Sequence, residues 1–169
     1  LSEEDFRPAL KIEEKIKLAD VSVAFIAQLE KLAPFGMDNP KPIFLLENMH
    51  LKGTKRIGAD KTHLKTMLAT EKNDATLDSI GFGVGDLVDK ISPTAAVDVV
   101  GELSINEWNN VKKPQLRMMD IHISHWQLFD VRNKSEWARI LQEQTESRVF
   151  VCFEERTIGT LGEQNYILV

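Results

Sequence analysis

Residues 95–121 read AAVDVVGELSINEWNNVKKPQLRMMDI, and the fold is decided by how this run is read. Val97, Val99, Leu103 and Ile105 alternate with Asp98, Glu102, Ser104 and Asn106. That period of two turns one set of side chains to a core and leaves the other on an open, polar face. At its end, SINEWNNVKKPQ gathers one aromatic ring, three asparagines and two lysines in what reads as the turn between two long strands. Flat ring, amide and cation together suit unpaired bases and phosphates, because any base can stack on a ring while the cation follows the backbone.

Around this stretch lies a chain of 169 residues, 43% hydrophobic, long enough for one good core and the start of a second. Its single cysteine, Cys152, rules out an internal disulfide framework and points to a reducing, cytoplasmic setting. Nothing resembles a signal peptide, no apolar run approaches the roughly 20 residues of a membrane helix, and the first residue is Leu1, so a piece of a longer protein is expected. A net charge of -5 argues against indiscriminate nucleic-acid binding. The charge is uneven, however: Glu3, Glu4, Asp5, Glu13 and Glu14 cluster early, whereas Lys52, Lys55, Arg56, Lys61 and Lys65 form a later basic segment.

Upstream, Leu10, Ile12 and Ile16 among charges suggest an edge strand or extended arm. Ser22 is a helix N-cap candidate, Phe25, Ile26, Leu29 and Leu32 recur at helical spacing, and Pro34 with Gly36 should stop a helix spanning 23–33. The run PFGMDNPKP reads as a linker or entry loop. Strands are expected at 43–52, 63–70, 77–82, 95–106 and 115–125, with a short helical insert at 85–91 between the third and fourth. Five strands with a helix in that position are the pattern of a mainly β, five-stranded OB-fold, a Greek-key barrel. In the last strand the apolar parity switches at Met118 and Met119, which predicts a bulge. After Trp126 the texture changes: Ser135 could cap a helix bearing Trp137, Ile140 and Leu141, and 149–153 is an apolar run of strand length. The expected organisation is an arm, helix and linker over 1–42, a barrel over 43–126, and an incomplete α/β extension over 127–169.

Other motifs read blandly. GFGVG at 81–85 resembles a phosphate-binding loop but lacks the βαβ context, so its glycines are assigned to a bend and a tight turn. His50, His63, His122 and His125 lack metal-ligand spacing, and Cys152 and the serines lack an activating arrangement. No metal or catalytic residue is assigned within this chain. In an OB barrel the first loop and the loop between the last two strands flank one cleft, which singles out the basic segment and Trp108. The lysines read either as phosphate contacts or as solvated loop residues, and Trp108 either stacks on bases or folds over the barrel end.

LEKLAPFGMDNPKPIF at 29–44, GADKTHLK at 58–65, IGFG at 80–83, and DVVGELSINEWNN followed by QLRMMDI within 98–121 together resemble the OB-fold region of the RecJ family, bacterial single-strand-specific 5′ to 3′ DNA exonucleases. The residues after Gln127 look like the start of the C-terminal domain found in RecJ proteins of Firmicutes type. Asn110 departs from the family pattern, which has Gly there. The resemblance implies a parent nuclease acting in DNA repair and recombination, with Mg or Mn held by Asp and His residues, including an Asp-His-His motif, in domains that this chain lacks.

The resulting expectation is a barrel that holds single-stranded DNA for those domains and hydrolyses nothing itself. Lys52, Lys55, Arg56, Lys61, His63 and Lys65 are the expected phosphate contacts on one rim, with Asn106, Trp108, Asn109, Lys112, Lys113, Gln115 and Arg117 on the other. The alternative is a protein-docking module for the nuclease core or for a partner such as single-strand-binding protein or a helicase.

Overall fold

Alternating apolar residues build a sheet whose two ends meet, because its first long strand bends far enough to pair with both the second and the fourth. The computed structural model describes residues 10–125, 127, 150–152 and 166–168. In chain order the elements are β1 (Glu14–Lys15), α1 (Val23–Leu29), β2 (Ile43–Ile57), β3 (His63–Ala69), β4 (Thr76–Gly81), α2 (Leu87–Lys90), β5 (Ala96–Trp108), β6 (Val111–His122), β7 (Phe150–Cys152) and β8 (Tyr166–Leu168). Two compact units result, Leu1–Leu128 and Phe129–Val169.

In the first unit the sheet order is β1-β2-β3-β4-β6-β5, and β5 returns to pair with β2. Strands β2, β3 and β4 form an antiparallel meander, β6 runs parallel to β4, and the β5–β6 hairpin closes the ring. This is the OB-fold Greek key expected from the sequence, with β1 added as a short parallel edge against Phe44 and Leu45. Leu46, Leu64, Leu68, Val99 and Leu116 are wholly buried at its centre.

The strand limits differ from expectation in β2, in β5 and at both ends of β6, which stops at His122 rather than at 125. β2 continues past Lys52 to Ile57. Two register shifts, between Leu46 and Met49 and between Lys52 and Lys55, place bulges at Asn48 (φ 56°) and Gly53 (φ 59°). The strand therefore bends rather than ends at the glycine. Its first part pairs with β5 and its second with β3.

β5 and β6 also run further, to Trp108 and from Val111, leaving a turn of only Asn109 and Asn110. Both asparagines have positive φ, 48° and 61°, the signature of a two-residue type I′ hairpin. The expected wide loop is a two-stranded ribbon. It outruns the barrel, since β2 pairs with β5 only as far as Glu102, and β4 with β6 only from Gln115 onward. The bulge at the methionines is present: Val100 faces Asp120 and Gly101 faces Met118, so Met119 is the extra residue.

Helix α1 starts where Ser22 accepts a hydrogen bond from the Phe25 N–H at 3.1 Å, and it buries Ile26. It is shorter than expected, because 30–32 tighten into a 3-10 turn closed by Ala33 N–H donating to the Glu30 carbonyl ahead of Pro34. In the second unit β7 and β8 pair in parallel, Phe150 opposite Tyr166. The helix expected around Ser135 lies outside the described residues, as does Trp126.

Candidate nucleic-acid interface

Cross-strand register decides which side chains share a face. Lys55 pairs with Lys65, Lys65 with Ile80, Ile80 with Arg117, and Arg117 with Glu102, so these five form one row around the outer wall. The next row runs Lys52, Met67, Asp78, Gln115, Ser104. Further along the ribbon, on that same face, come Asn106 with Lys113 and then Trp108 with Val111. Residues between them turn the other way, so Leu103, Leu116, Leu64 and Ser79 lie inside. The face carries Lys52, Lys55, Lys65, Lys113 and Arg117 against Glu102 and Asp78, a local excess of positive charge on a chain of net charge -5.

Phe82, which the sequence expectation does not include, stands at the end of this wall away from the ribbon, just past the Ile80–Arg117 row. It follows β4 directly and remains 53% exposed. The Arg117 guanidinium lies 5.8 Å from its ring centroid, and the His63 ring meets it edge-on at 5.1 Å. His63 is itself fixed, because its Nδ1 accepts the Gly83 N–H at 3.2 Å. The Glu102 carboxylate holds the other side of Arg117 at 3.6 Å. A flat, exposed ring beside a guanidinium and two lysines can stack a base while the cations meet its phosphates. The parity of β4 carried the signal: Leu77, Ser79 and Gly81 point inward, which puts Phe82 outward.

The expected residues separate into groups. Lys55, His63, Lys65, Asn106, Trp108, Lys113, Gln115 and Arg117 share the face, although His63 serves to buttress Phe82. Arg56 does not join them, because strand alternation sends it away from Lys55. Its Nε donates to the Gly85 carbonyl at 3.0 Å and its guanidinium pairs with Asp89, so it fastens β2 to the α2 segment. Lys52 stands on the same face, in the row of Met67 and Asp78, where its amine donates to Asn73 at 2.8 Å near the β3–β4 turn. Lys112 lies on the reverse of the ribbon beside Glu107, at 3.7 Å. Asn109 makes the turn, and Lys61 occupies the β2–β3 turn with φ 54°.

The glycine motif has a structural explanation. Gly85 N–H donates to the Thr62 carbonyl, and a Cβ on Gly85 would sit 2.6 Å from the Lys61 carbonyl oxygen, so the loop before α2 packs against the β2–β3 turn only with glycine there. Beside it, the hydrogen bond from Lys90 holds the Asp86 carboxyl below the usual carboxylate range. Among the described residues no three His, Cys, Asp or Glu side chains gather as metal ligands. Nor is any helix among them long and apolar enough to cross a membrane.

The family model described as RecJ OB domain matches residues 12–120. The single-stranded-DNA-specific exonuclease RecJ of Bacillus subtilis (strain 168) is 44% identical over 166 residues, covering 98% of this chain and 21% of that protein. The chain thus spans about a fifth of the length of that relative. A crystal structure of RecJ in complex with Mg2+ from Thermus thermophilus is 27% identical, with a TM-score of 0.46 over 60% of this chain and 15% of the other. Rim1, a mitochondrial single-stranded DNA binding protein from S. cerevisiae, is 14% identical, with a TM-score of 0.40 over 50% of this chain and 96% of the other.

Proposed function

The chain belongs to the RecJ OB domain family, and from that premise we propose that its outer wall binds single-stranded DNA on behalf of a parent exonuclease. One observation carries the reading: the exposed Phe82 ring lies against Arg117, in a wall whose cross-strand row also holds Lys55 and Lys65. An unpaired base can reach such a ring, whereas a base inside a duplex cannot, so the wall selects single strands by access. The lysines track the phosphates, which carry no sequence information, and binding is therefore tolerant of sequence.

On this reading the parent is a cytoplasmic hydrolase of DNA repair and recombination, and the Mg or Mn chemistry that the family resemblance implies belongs to its other domains. This chain contributes grip, not cleavage. The test is fluorescence anisotropy of the 169-residue chain with a labelled oligonucleotide, single-stranded or duplex, across a salt series. Preferential binding of the single strand, weakening as salt rises, supports the proposal. Equal affinity for duplex, or no salt dependence, overturns it.

A second reading has its own observation. Met37 is fully exposed at the tip of a loop held by Asn39, whose side-chain amide donates to the Leu32 and Pro34 carbonyls at 2.9 and 3.0 Å. An apolar side chain presented on an ordered loop fits protein docking. The other domains of the parent are the first candidates, followed by a helicase or single-strand-binding protein.

A further inference from the structure

Phe82 is not the only ring on this face. The alternation that places Arg117 beside Phe82 also brings Trp108, 76% exposed, to the same side at the far end of the ribbon. Between them the face is polar, with Ser104 beside Gln115 and Asn106 beside Lys113. From Arg117 to Val111, the cross-strand partner of Trp108, the path along β6 is about 20 Å at about 3.4 Å per residue. A single strand stacked at about 3.4 Å per nucleotide covers that distance in about six nucleotides, within the range of about 4 to 16 seen per OB-fold.

We propose that Phe82 and Trp108 are the two ends of one track, so that the domain senses strand length: a strand shorter than about six nucleotides engages the barrel wall alone, and a longer one reaches both rings. The inference rests on the single-strand reading above and adds a length requirement to it. Its physical basis is effective concentration: once a base is stacked on Phe82, nucleotides further along are delivered to the ribbon, and Trp108 gains a partner without a second encounter. The ribbon lysine on this face, Lys113, keeps the strand on the polar stretch between the rings.

The experiment is a length series with the 169-residue chain. Oligothymidylates of about 2 to 12 nucleotides are titrated at fixed salt against the parent chain, Phe82→Ala, Trp108→Ala and Trp108→Phe. Affinity of the parent chain should step up as length passes about six nucleotides, and Trp108→Ala should remove that step, about tenfold, while leaving strands of about three nucleotides unaffected. Trp108→Phe should restore most of the step, and Phe82→Ala should weaken every length. If Trp108→Ala lowers affinity equally at all lengths, or at none, the track is wrong while single-strand binding stands. If the parent chain binds no oligonucleotide of any length, both readings fall. Thermal melting of each variant establishes that it is folded, as expected for substitutions at exposed positions.

Discussion

Phe82 and Trp108 present similar chemistry on one face, yet they are held in different ways. Phe82 leans on His63, which the Gly83 amide holds in turn, and Arg117 covers one side, so the ring is fixed before a ligand arrives. Trp108 has Val111 across the hairpin and stands beyond the last pairing of β5 with β2 and of β6 with β4. Fixing a mobile side chain on binding costs roughly 0.5 to 1.5 kcal/mol, a cost the wall has already met and the ribbon has not. The wall should therefore supply affinity, and the ribbon selectivity for strands long enough to reach it.

The sharpest way to test that division is through stability. Leu116 is wholly buried where β6 joins the barrel, and truncating it leaves a cavity. Leu116→Ala should cost about 2 to 5 kcal/mol in urea unfolding. Val111→Ala, at a 53% exposed position, should stay within about 0.5 kcal/mol. Comparable losses at both sites would show the ribbon to be part of the barrel's cooperative unit and would end the distinction.

Next in size is the contrast between neighbours on β2. Lys55 faces the wall, whereas Arg56 is committed to Gly85 and Asp89. Lys55→Ala and Lys65→Ala should each flatten the slope of log affinity against log salt by about 0.7, the share of one phosphate on a single strand. Arg56→Ala should leave the slope alone and lower the melting temperature, because it unties α2. A slope change from Arg56→Ala would mean that its ion pair opens to admit DNA.

Lys55 and Arg56 also show where sequence reading succeeds and where it stops. Alternation was legible wherever it was unbroken: Val97, Val99 and Leu103 revealed β5, and the parity change at Met118 and Met119 revealed the bulge. Gly53 hid the second part of β2, because a glycine that bends a strand looks like one that ends it, and with the strand cut short Lys55 and Arg56 appeared to share a loop. Asn110, where the family pattern has Gly, was legible as a turn residue, but the tightness of the turn was not: Asn109 and Asn110 together are a two-residue hairpin signal inside what reads as a wider basic loop. The partner of Arg56, Asp89, lies 33 residues away, and only the folded chain brings the two together. Phe82 is readable by parity from Leu77, within a motif whose glycines also fit a bend and a tight turn.

A smaller effect should come from Glu102, the acid that holds Arg117 on the wall. Its carboxylate competes with an incoming phosphate for the guanidinium, at 3.6 Å and only partly exposed. Such pairs are worth about 0 to 1 kcal/mol, so Glu102→Gln should raise single-strand affinity by up to about fivefold in low salt. The gain should fade as salt screens the pair. Weaker binding by Glu102→Gln would show that the carboxylate aims Arg117 at its ligand rather than withholding it.

The smallest effect concerns the ribbon turn, where local order can be changed without touching the wall. Asn110 has φ 61°, a conformation that asparagine tolerates and glycine adopts without strain. Asn-Gly is a favoured type I′ pair, while a glycine also gains freedom in the unfolded chain, so the two effects partly cancel. Asn110→Gly should tighten the hairpin by about 0.5 kcal/mol, seen as roughly twofold slower hydrogen exchange at the ribbon amides with the barrel's exchange unaltered. If the ribbon is ordered beforehand, less of the cost of holding Trp108 falls on binding, and strands longer than about six nucleotides should bind slightly better, while strands of about three should not. Equal improvement at both lengths would place the turn's influence on the wall and not on the ribbon, contrary to the division drawn between Phe82 and Trp108.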